Sequence, residues 1–254
     1  MPEIDRIWPQ LLAAARGGSI DTVRAAAAGD PLVALYLPLC GAGRFTIGHL
    51  AQSLDGFIAT TRGESLFITG EENVVHMHRL RALCDAVLVG ASTVLADDSR
   101  LTTRLAPGPN PLRVVIDPRR RLPASLRLFT DGAAPTLLVC DAERARPGER
   151  FGGAEVIGLP ARDGRLDYPA ILGLLHARGC RTVFVEGGGK TVSGFFAAGL
   201  LDRLQVTVAP VLLGAGLPGL RLPAVSRLAD APPLAHGILR MGDDVLFDCD
   251  LRAG

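Results

Sequence analysis

The chain has 254 residues, of which 48% are hydrophobic and 21% are charged, and its formal net charge at pH 7 is +1. This is the composition of a globular protein with ample material for a core. The balanced charge excludes a global field that would draw the chain to nucleic acid or to an anionic membrane. No apolar run approaches the ~18 residues of a membrane span, and the N-terminus lacks the features of a signal peptide. We therefore expect a cytoplasmic protein.

Residues 1–42 differ in character from the rest of the chain. Two stretches rich in alanine and leucine, residues 8–15 and 20–28, predict two short helices separated by glycines. We interpret residues 1–42 as a short helical N-terminal arm and residues 43–254 as the main domain.

From Arg44 onwards, short apolar runs alternate with helical stretches. The last two runs have no helical pattern between them, which predicts antiparallel strands near the edge of the sheet. The whole pattern predicts an α/β fold with a mostly parallel central sheet and antiparallel C-terminal strands. The predicted strands are residues 45–50, 86–89, 112–116, 136–139, 182–185, 203–208 and 244–251.

Two helix starts carry capping signals. Thr69 and Glu72 have the spacing of a capping box, in which each side chain bonds a backbone N–H of the other's turn. Asp167 is predicted to cap a second helix, with Pro169 in its first turn and Gly179 at its end. The buried stripe of the first helix is predicted to be Val74, Met77, Leu80 and Leu83.

The most specific local signal is a glycine loop at residues 186–190, between a predicted strand and a predicted helix. Such a loop presents backbone N–H groups to a phosphate. It is not a Walker A loop, because Phe184 stands where a glycine is required, and it lacks the spacing of the Rossmann fingerprint. The loop predicts a phosphate-bearing ligand without naming it, or alternatively a turn that lets strand and helix pack closely.

Glu186 ends the strand before this loop, where open α/β sheets bind ligands. Its carboxylate could accept hydrogen bonds from a ring N–H or a sugar hydroxyl, or could be a solvated loop residue. A second polar cluster comprises Arg81 and residues 93–104. Arginines suit phosphates and Asp and Thr suit ribose hydroxyls, but a salt-bridged surface loop is the alternative.

Other chemistries lack a signal. There is no Gly-x-Ser-x-Gly elbow, and His76 and His78 are two residues apart on a predicted helix, where they do not face each other. The five cysteines include no Cys-x-x-Cys pair and are expected to be buried hydrophobes in a reducing compartment. We predict no metal. Hydride transfer needs neither nucleophile nor metal, because the cofactor carries the chemistry.

Several segments together resemble one family, the reductase domain of the bifunctional riboflavin-pathway deaminase/reductase. The resemblance covers about residues 43–251, and agreement of many ordered segments is more specific than any one of them. The segments are Leu50-Ala51-Gln52-Ser53-Leu54-Asp55-Gly56, Gly63-Glu64-Ser65, Ile68-Thr69-Gly70, His78-Arg79-Leu80-Arg81, Asp85-Ala86-Val87-Leu88-Val89-Gly90, Thr93-Val94-Leu95-Ala96-Asp97-Asp98, Arg113-Val114-Val115-Ile116-Asp117, Val185-Glu186-Gly187-Gly188 and Ala209-Pro210-Val211-Leu212-Leu213-Gly214.

The resemblance implies a dihydrofolate-reductase-like fold with helices on both faces, NADPH as cofactor, and a homodimer. It implies a ribosylaminopyrimidine 5′-phosphate substrate, whose ribose is reduced in ring-opened imine form to a ribityl chain. The implied substrate contacts are Ser65, Arg81, Leu101, Arg104 and Glu186. The implied cofactor contacts are Ala51, Phe67, Thr93, Asp97 and the loop and helix start that include Gly188, Gly189, Lys190 and Thr191.

Three departures from the family pattern bear on the substrate. Nothing in the chain resembles the His-x-Glu and Pro-Cys-x-x-Cys motifs of the zinc deaminase half. His49 stands where the family has a lysine, and Pro118 stands where a serine is common. We therefore expect Glu186 and His49 to be the catalytic residues, with turnover depending on protonation of His49 near pH 6.5. The alternatives are a paralogous reductase of another pterin- or pyrimidine-like metabolite and a non-catalytic nucleotide-binding protein.

Overall fold

The computed structural model describes residues 3–41, 43–65, 68–231 and 233–252. Three short 3-10 helices, Leu37–Cys40, Ala142–Arg144 and Leu228–Asp230, accompany the main elements. The α-helices are α1 (Glu3–Ala15), α2 (Asp21–Ala27), α3 (Pro31–Tyr36), α4 (Glu71–Leu83), α5 (Ala91–Asp97), α6 (Arg127–Thr130), α7 (Tyr168–Ala177) and α8 (Gly189–Ala197). The strands are β1 (Phe45–Ser53), β2 (Phe57–Ala59), β3 (Ala86–Gly90), β4 (Leu112–Ile116), β5 (Thr136–Asp141), β6 (Arg150–Phe151), β7 (Ala154–Leu159), β8 (Ala161–Arg162), β9 (Arg165–Leu166), β10 (Thr182–Glu186), β11 (Arg203–Ala209), β12 (Leu217–Pro218), β13 (Ala235–Met241) and β14 (Asp244–Asp250).

Ten strands form one sheet in the order β13-β14-β11-β1-β10-β3-β4-β5-β7-β6. All pairs from β11 to β7 are parallel, and the pairs at the two edges are antiparallel. The predicted fold class is therefore confirmed. One strand differs from its prediction: β11 is antiparallel only to β14 and runs parallel to β1. The reason is α8, a helical crossover between β10 and β11 that returns the chain in the same direction.

Helices cover both faces of the sheet. On one face, α1, α3 and α4 pack on side chains such as Ile47 and Phe184, and on the other face α7 and α8 pack on residues such as Leu88 and Val185. Phe184 and Val185 are consecutive in β10 and point to opposite faces, because side chains alternate along a strand. The N-terminal helices share the first cluster with α4, with Trp8 only 4% exposed. The division into an arm and a main domain stays a prediction.

The two capping signals have different outcomes. Asp167 caps α7 as predicted, since its carboxylate accepts from the Ala170 N–H at 3.2 Å. The capping box at Thr69 is wrong: α4 has Gly70 as its N-cap residue, with no side-chain cap. The Gly70 N–H instead donates to Asp244 at 2.7 Å, and Thr69 accepts from the Asn73 amide. A tertiary partner has replaced the local one.

Within the described ranges, no helix is long and apolar enough to cross a membrane, and no group of three or more His, Cys, Asp or Glu side chains could hold a metal ion. All five cysteines are buried, as predicted.

Candidate active site

The carboxyl ends of β1, β3 and β10 lie side by side, and the sequence-predicted residues gather there. His49 in β1 is the register partner of Glu186 at the end of β10, and the Gly187 N–H donates to the His49 carbonyl oxygen at 3.1 Å. Gly90 ends β3 against the side chain of Thr191 in α8, whose Oγ1 would lie 2.6 Å from a Cβ at Gly90. Ligand sites of open α/β sheets form at this edge.

The glycine loop joins β10 to α8 through two left-handed residues. Gly187 and Gly188 have φ values of +60° and +57°, which residues with a Cβ rarely adopt. A Cβ on Gly188 would also lie 2.7 Å from Thr93 Oγ1, and one on Gly189 would overlap the carbonyl oxygen of Gly219. The close packing named as the alternative is thus present. The backbone N–H groups at the start of α8 lie beside Thr93, and a helix N-terminus of this kind can bind a phosphate. We refer to this loop and helix start, residues 187–191, as the glycine cradle.

Glu186 and Arg81 form a buried ion pair at the centre of this edge. Arg81 Nε donates to Glu186 Oε2 at 2.7 Å and Nη2 donates to Oε1 at 2.5 Å, and each side chain is only 7% exposed. Nη1 of the same guanidinium donates to the carbonyl oxygen of Thr102 at 3.1 Å. A bidentate pair fixes the orientation of both groups. Glu186 is therefore no solvated loop residue, and Arg81 holds Glu186 instead of standing free to clamp a phosphate.

Arg104 is, with Arg100, one of the two exposed cations of the second polar cluster. Its guanidinium donates to Thr102 Oγ1 at 2.8 Å, and its backbone N–H donates to His78 Nδ1 at 2.9 Å. Burial, together with the charges of Arg81 and Arg100, lowers the pKa of Arg104. An arginine nevertheless stays cationic at neutral pH, so this side of the site offers positive charge to an anion.

Asp97 and Ser65 meet on the same edge, where Ser65 Oγ donates to Asp97 Oδ1 at 3.0 Å. Burial raises the pKa of Asp97, the hydrogen bond from Ser65 lowers it, and the negative charge of Glu186 raises it further. Asp97 therefore lies within electrostatic reach of Glu186, and it holds a proton more readily than an exposed aspartate.

The remaining predicted residues have mixed positions. Ala51 is half-buried in β1, and Lys190 is exposed in the first turn of α8. Leu101 is 1% exposed in the core and has a φ of +53°, so its side chain points away from any open cleft and only its backbone could meet a substrate. Phe67 lies outside the described residues.

His49 is only 1% exposed, and its environment corrects the expected titration. Its Nε2 lies 3.1 Å from Asn73 Oδ1 and 3.2 Å from Thr207 Oγ1. Since the Asn73 amide nitrogen donates to Thr69, its oxygen is the acceptor and His49 Nε2 carries the proton. Burial lowers the pKa of His49 to about 4, against smaller raising effects of Asn73 and Glu186. The imidazole is therefore neutral at neutral pH, and turnover controlled by its protonation near pH 6.5 is not expected.

A buried polar cluster that the sequence did not reveal surrounds His49: Asn73, His76, Gln205 and Thr207. Tyr36 OH and Gln205 Oε1 each lie 2.7 Å from a ring nitrogen of His76. The predicted stripe of α4 is corrected accordingly, because Asn73 and His76 are buried where Val74 and Met77 were expected. The sequence of β11 contains a sign of this polar cluster, because Gln205 and Thr207 alternate there with apolar residues. A polar strand face predicts exposure to solvent, but here α4 covers it with polar side chains of its own.

Comparisons with known proteins identify the family of the chain. The model of the RibD C-terminal domain family matches residues 44–227. A 2,5-diamino-6-ribosylamino-4(3H)-pyrimidinone 5′-phosphate reductase of Methanothermobacter thermautotrophicus is 40% identical over 174 residues, which cover 67% of this chain and 79% of the relative. The protein of the same name from Archaeoglobus fulgidus is 36% identical over 179 residues, covering 65% of this chain and 80% of the relative.

A solved structure shows the same fold. The diaminohydroxyphosphoribosylaminopyrimidine deaminase/5-amino-6-(5-phosphoribosylamino)uracil reductase of Thermotoga maritima superposes with a TM-score of 0.69 at 27% identity. The superposition covers 89% of this chain and 61% of that one, so the chain spans less than two thirds of the bifunctional protein. The predicted resemblance and fold are confirmed.

Proposed function

Because this chain belongs to the family of RibD C-terminal domains, we propose that it is an NADPH-dependent reductase of a ribosylaminopyrimidine 5′-phosphate. The reaction converts the ribose, as its ring-opened imine, to a ribityl chain. The observation that carries the proposal is the buried Arg81–Glu186 pair beside a glycine cradle at the carboxyl edge of the sheet. The relatives named as pyrimidinone phosphate reductases support it.

The substrate groups have partners of matching chemistry. Glu186, oriented by Arg81, accepts hydrogen bonds from a pyrimidine N–H or a ribose hydroxyl. Arg104 is the cation that we assign to the 5′-phosphate. Ser65 and the backbone at Leu101 complete the substrate side that the resemblance implies.

Reduction of an imine also adds a proton to its nitrogen. Asp97 is suited to hold that proton, because its pKa is raised by burial and by the charge of Glu186. His49 is neutral, and its one N–H is directed at Asn73 and Thr207. We therefore propose that Asp97 donates the proton to the imine nitrogen and that His49 helps to position the residues around it.

The cradle at α8 fits the pyrophosphate of a dinucleotide. Residues 187–189 lead into the helix N-terminus without side chains, and Lys190, the single lysine of the chain, lies exposed beside them. When bound, NADPH supplies the hydride, and the protein supplies orientation. Thr93, Thr191, Ala51 and Phe67 are further cofactor contacts on the strength of the resemblance.

The end of β4 supports NADPH over NADH. Gly90 and Ile116 are register partners at the ends of β3 and β4, and β3 pairs with β10, so the turn of residues 117–121 begins two strands, or about 10 Å, from the end of β10. Arg119 and Arg121 in this turn are exposed, and across the described parts of the chain neither has a carboxylate within ion-pair distance. Free arginines here suit the 2′-phosphate that distinguishes the two cofactors.

Arg119→Ala is expected to weaken NADPH binding about tenfold and to leave NADH binding unchanged, because only the 2′-phosphate loses a charge-assisted contact. Thermal shifts against the concentration of each nucleotide measure this. Arg240→Ala removes the same charge from β13, at the far edge of the sheet, and serves as the control. Equal stabilisation of the wild type by NADH would overturn the preference for NADPH.

Turnover tests the function directly. Purified protein with NADPH is expected to convert the aminated or the deaminated ribosylaminopyrimidine phosphate to a product two mass units heavier. Complementation of a reductase-deficient riboflavin auxotroph checks the same activity in cells. NADPH binding without turnover of either compound would point to the paralogous reductase, which the neutral His49 in place of a lysine favours. No NADPH binding would leave the non-catalytic alternative.

A homodimer and a cytoplasmic location stay predictions. An unpaired strand edge with apolar side chains is a ready surface for a second copy. β13 forms such an edge, with Ile238 59% exposed, and Leu212 and Leu228 are exposed in the segment before it.

A further inference from the structure

The N-terminal helices lie outside residues 44–227, which the family model matches, but they contact the substrate side of the site. Trp8 in α1 is 4% exposed, and its indole Nε1 donates to the carbonyl oxygen of Pro107 at 2.7 Å. Pro107 belongs to the loop of residues 98–110, which we name the arginine loop because it carries Arg104. A residue outside the matched region thus holds a loop of the proposed site.

The first half of the arginine loop is anchored by the main domain. Arg113 donates to the carbonyl oxygen of Arg100 at 3.1 Å, and Arg81 donates to that of Thr102 at 3.1 Å. The Arg104 N–H donates to His78. These bonds fix the backbone up to Arg104 from the sheet and from α4.

The second half of the arginine loop is held by hydrogen bonds within the loop and by contacts with α1. Thr103 N–H donates to Asn110 Oδ1 at 2.8 Å, and the Thr103 hydroxyl donates to the Pro109 carbonyl oxygen at 3.1 Å. Gly108, with a φ of +145°, is wedged between two helices, since a Cβ there would lie 2.7 Å from Ala82 Cβ and 3.2 Å from Leu12 Cδ2. Between these points the Trp8 bond to Pro107 joins the closed half to the N-terminal helices.

Trp8 is itself held in place from two sides. Its ring meets Tyr36 edge to face at 5.9 Å, and the Arg79 guanidinium lies 5.8 Å from its centroid. Arg79 in turn donates to Asp5 of α1 at 3.0 Å. The indole N–H is therefore directed at Pro107 by packing, and its hydrogen bond joins the exposed Pro107 segment of the loop to the buried ring in α1.

We propose that Trp8 is a positioning residue for substrate phosphate, acting through the arginine loop on Arg104. The inference rests on the proposed function, because Arg104 is assigned to the 5′-phosphate there. It extends the functional unit to α1, which the family match does not include. It also gives the N-terminal helices a part in substrate affinity.

Trp8→Phe keeps an aromatic ring and removes the N–H. In the full chain it is expected to raise KM for the phosphorylated substrate on the order of fivefold to tenfold, with kcat and NADPH affinity unchanged. In the background of Arg104→Ala it should have no further effect on KM, because its effect passes through Arg104. Ile4→Val, a buried change in the same helix, controls for lost packing and should leave KM unchanged.

Trp8 is the single tryptophan of the chain, so its fluorescence reports on the loop without turnover. Inorganic phosphate is expected to change the emission saturably in the wild type and not in Arg104→Ala. If the protein shows this phosphate response but does not reduce the pyrimidine, the proposed function is wrong, while the coupling between Trp8 and Arg104 is supported. An unchanged KM in Trp8→Phe, an equal KM effect in the Arg104→Ala background, or no phosphate response would overturn the inference.

Discussion

Lowering the pH from 7 to 5 is expected to destabilise the fold by several kcal/mol, a large part of the roughly 5–15 kcal/mol of a typical domain. Three buried histidines are responsible. Burial lowers the pKa of His49 to about 4, of His76 to about 3 and of His78 to about 4. Their unfolded value is near 6.5, so below that pH the unfolded chain binds protons that the folded chain excludes. Stability is thus lost as pH falls from about 7 towards 4, by about 2 kcal/mol for each histidine between pH 7 and 5.

Buried carboxylates act in the opposite direction. Burial raises the pKa of Asp97 and Asp248, so the folded chain takes up these protons before the unfolded chain does, which moderates the loss of stability as pH falls through their raised pKa values. Denaturant unfolding followed by Trp8 fluorescence at several pH values measures the balance. His76→Gln should reduce the slope of the unfolding free energy against pH by roughly a third, since one of three groups is removed. His236→Asn on the exposed β13 should not change this slope. Constant stability between pH 7 and 5.5 would contradict the neutral, buried state of the three rings.

Glu186→Gln is expected to reduce turnover by about 100-fold or more, because a charged acceptor at the reacting centre is replaced by a neutral one. It should also destabilise the fold by about 3 kcal/mol, since Arg81 keeps a buried positive charge without its partner. Steady-state kinetics and denaturant unfolding measure the two effects. Retention of more than half of the activity would show that Glu186 has no catalytic part.

Two further variants separate chemistry from stability. Arg81→Gln with Glu186→Gln removes both buried charges and should regain most of the stability but none of the activity. Arg104→Ala changes an exposed side chain, so stability should stay within about 0.5 kcal/mol while KM rises about tenfold. If Arg104→Ala left KM unchanged, the arginine would be only a surface residue.

The glycine loop was predictable because its signals are local. A strand followed by Glu186 and three glycines predicts a ligand edge, and the structure has Gly187 and Gly188 in the left-handed conformation that glycine permits. The α7 start at Asp167 was equally local. Such features depend on neighbouring residues alone, so a linear pattern contains them.

The partners of these residues could not be predicted. Arg81 and Glu186 are 105 positions apart, and nothing in either segment shows that the guanidinium meets the carboxylate and not a phosphate. The Thr69 hydroxyl accepts from the Asn73 side chain and does not cap α4, and the N–H of Gly70, the N-cap residue, donates to Asp244, 174 positions away. The Asp244 carboxylate lies at the start of β14 and reaches Gly70 only once that strand has paired into the sheet.

By itself, the sequence determined the family, the α/β architecture and the glycine loop between β10 and α8, because periodicity and ordered motifs survive in a linear pattern. Only the tertiary structure decided the charge state of His49 and the surroundings of Arg104. Burial under α4 makes His49 neutral, and Trp8 meets the arginine loop only because α1 packs on α4. Desolvation and hydrogen bonding depend on which surfaces meet, and that is a property of the folded chain.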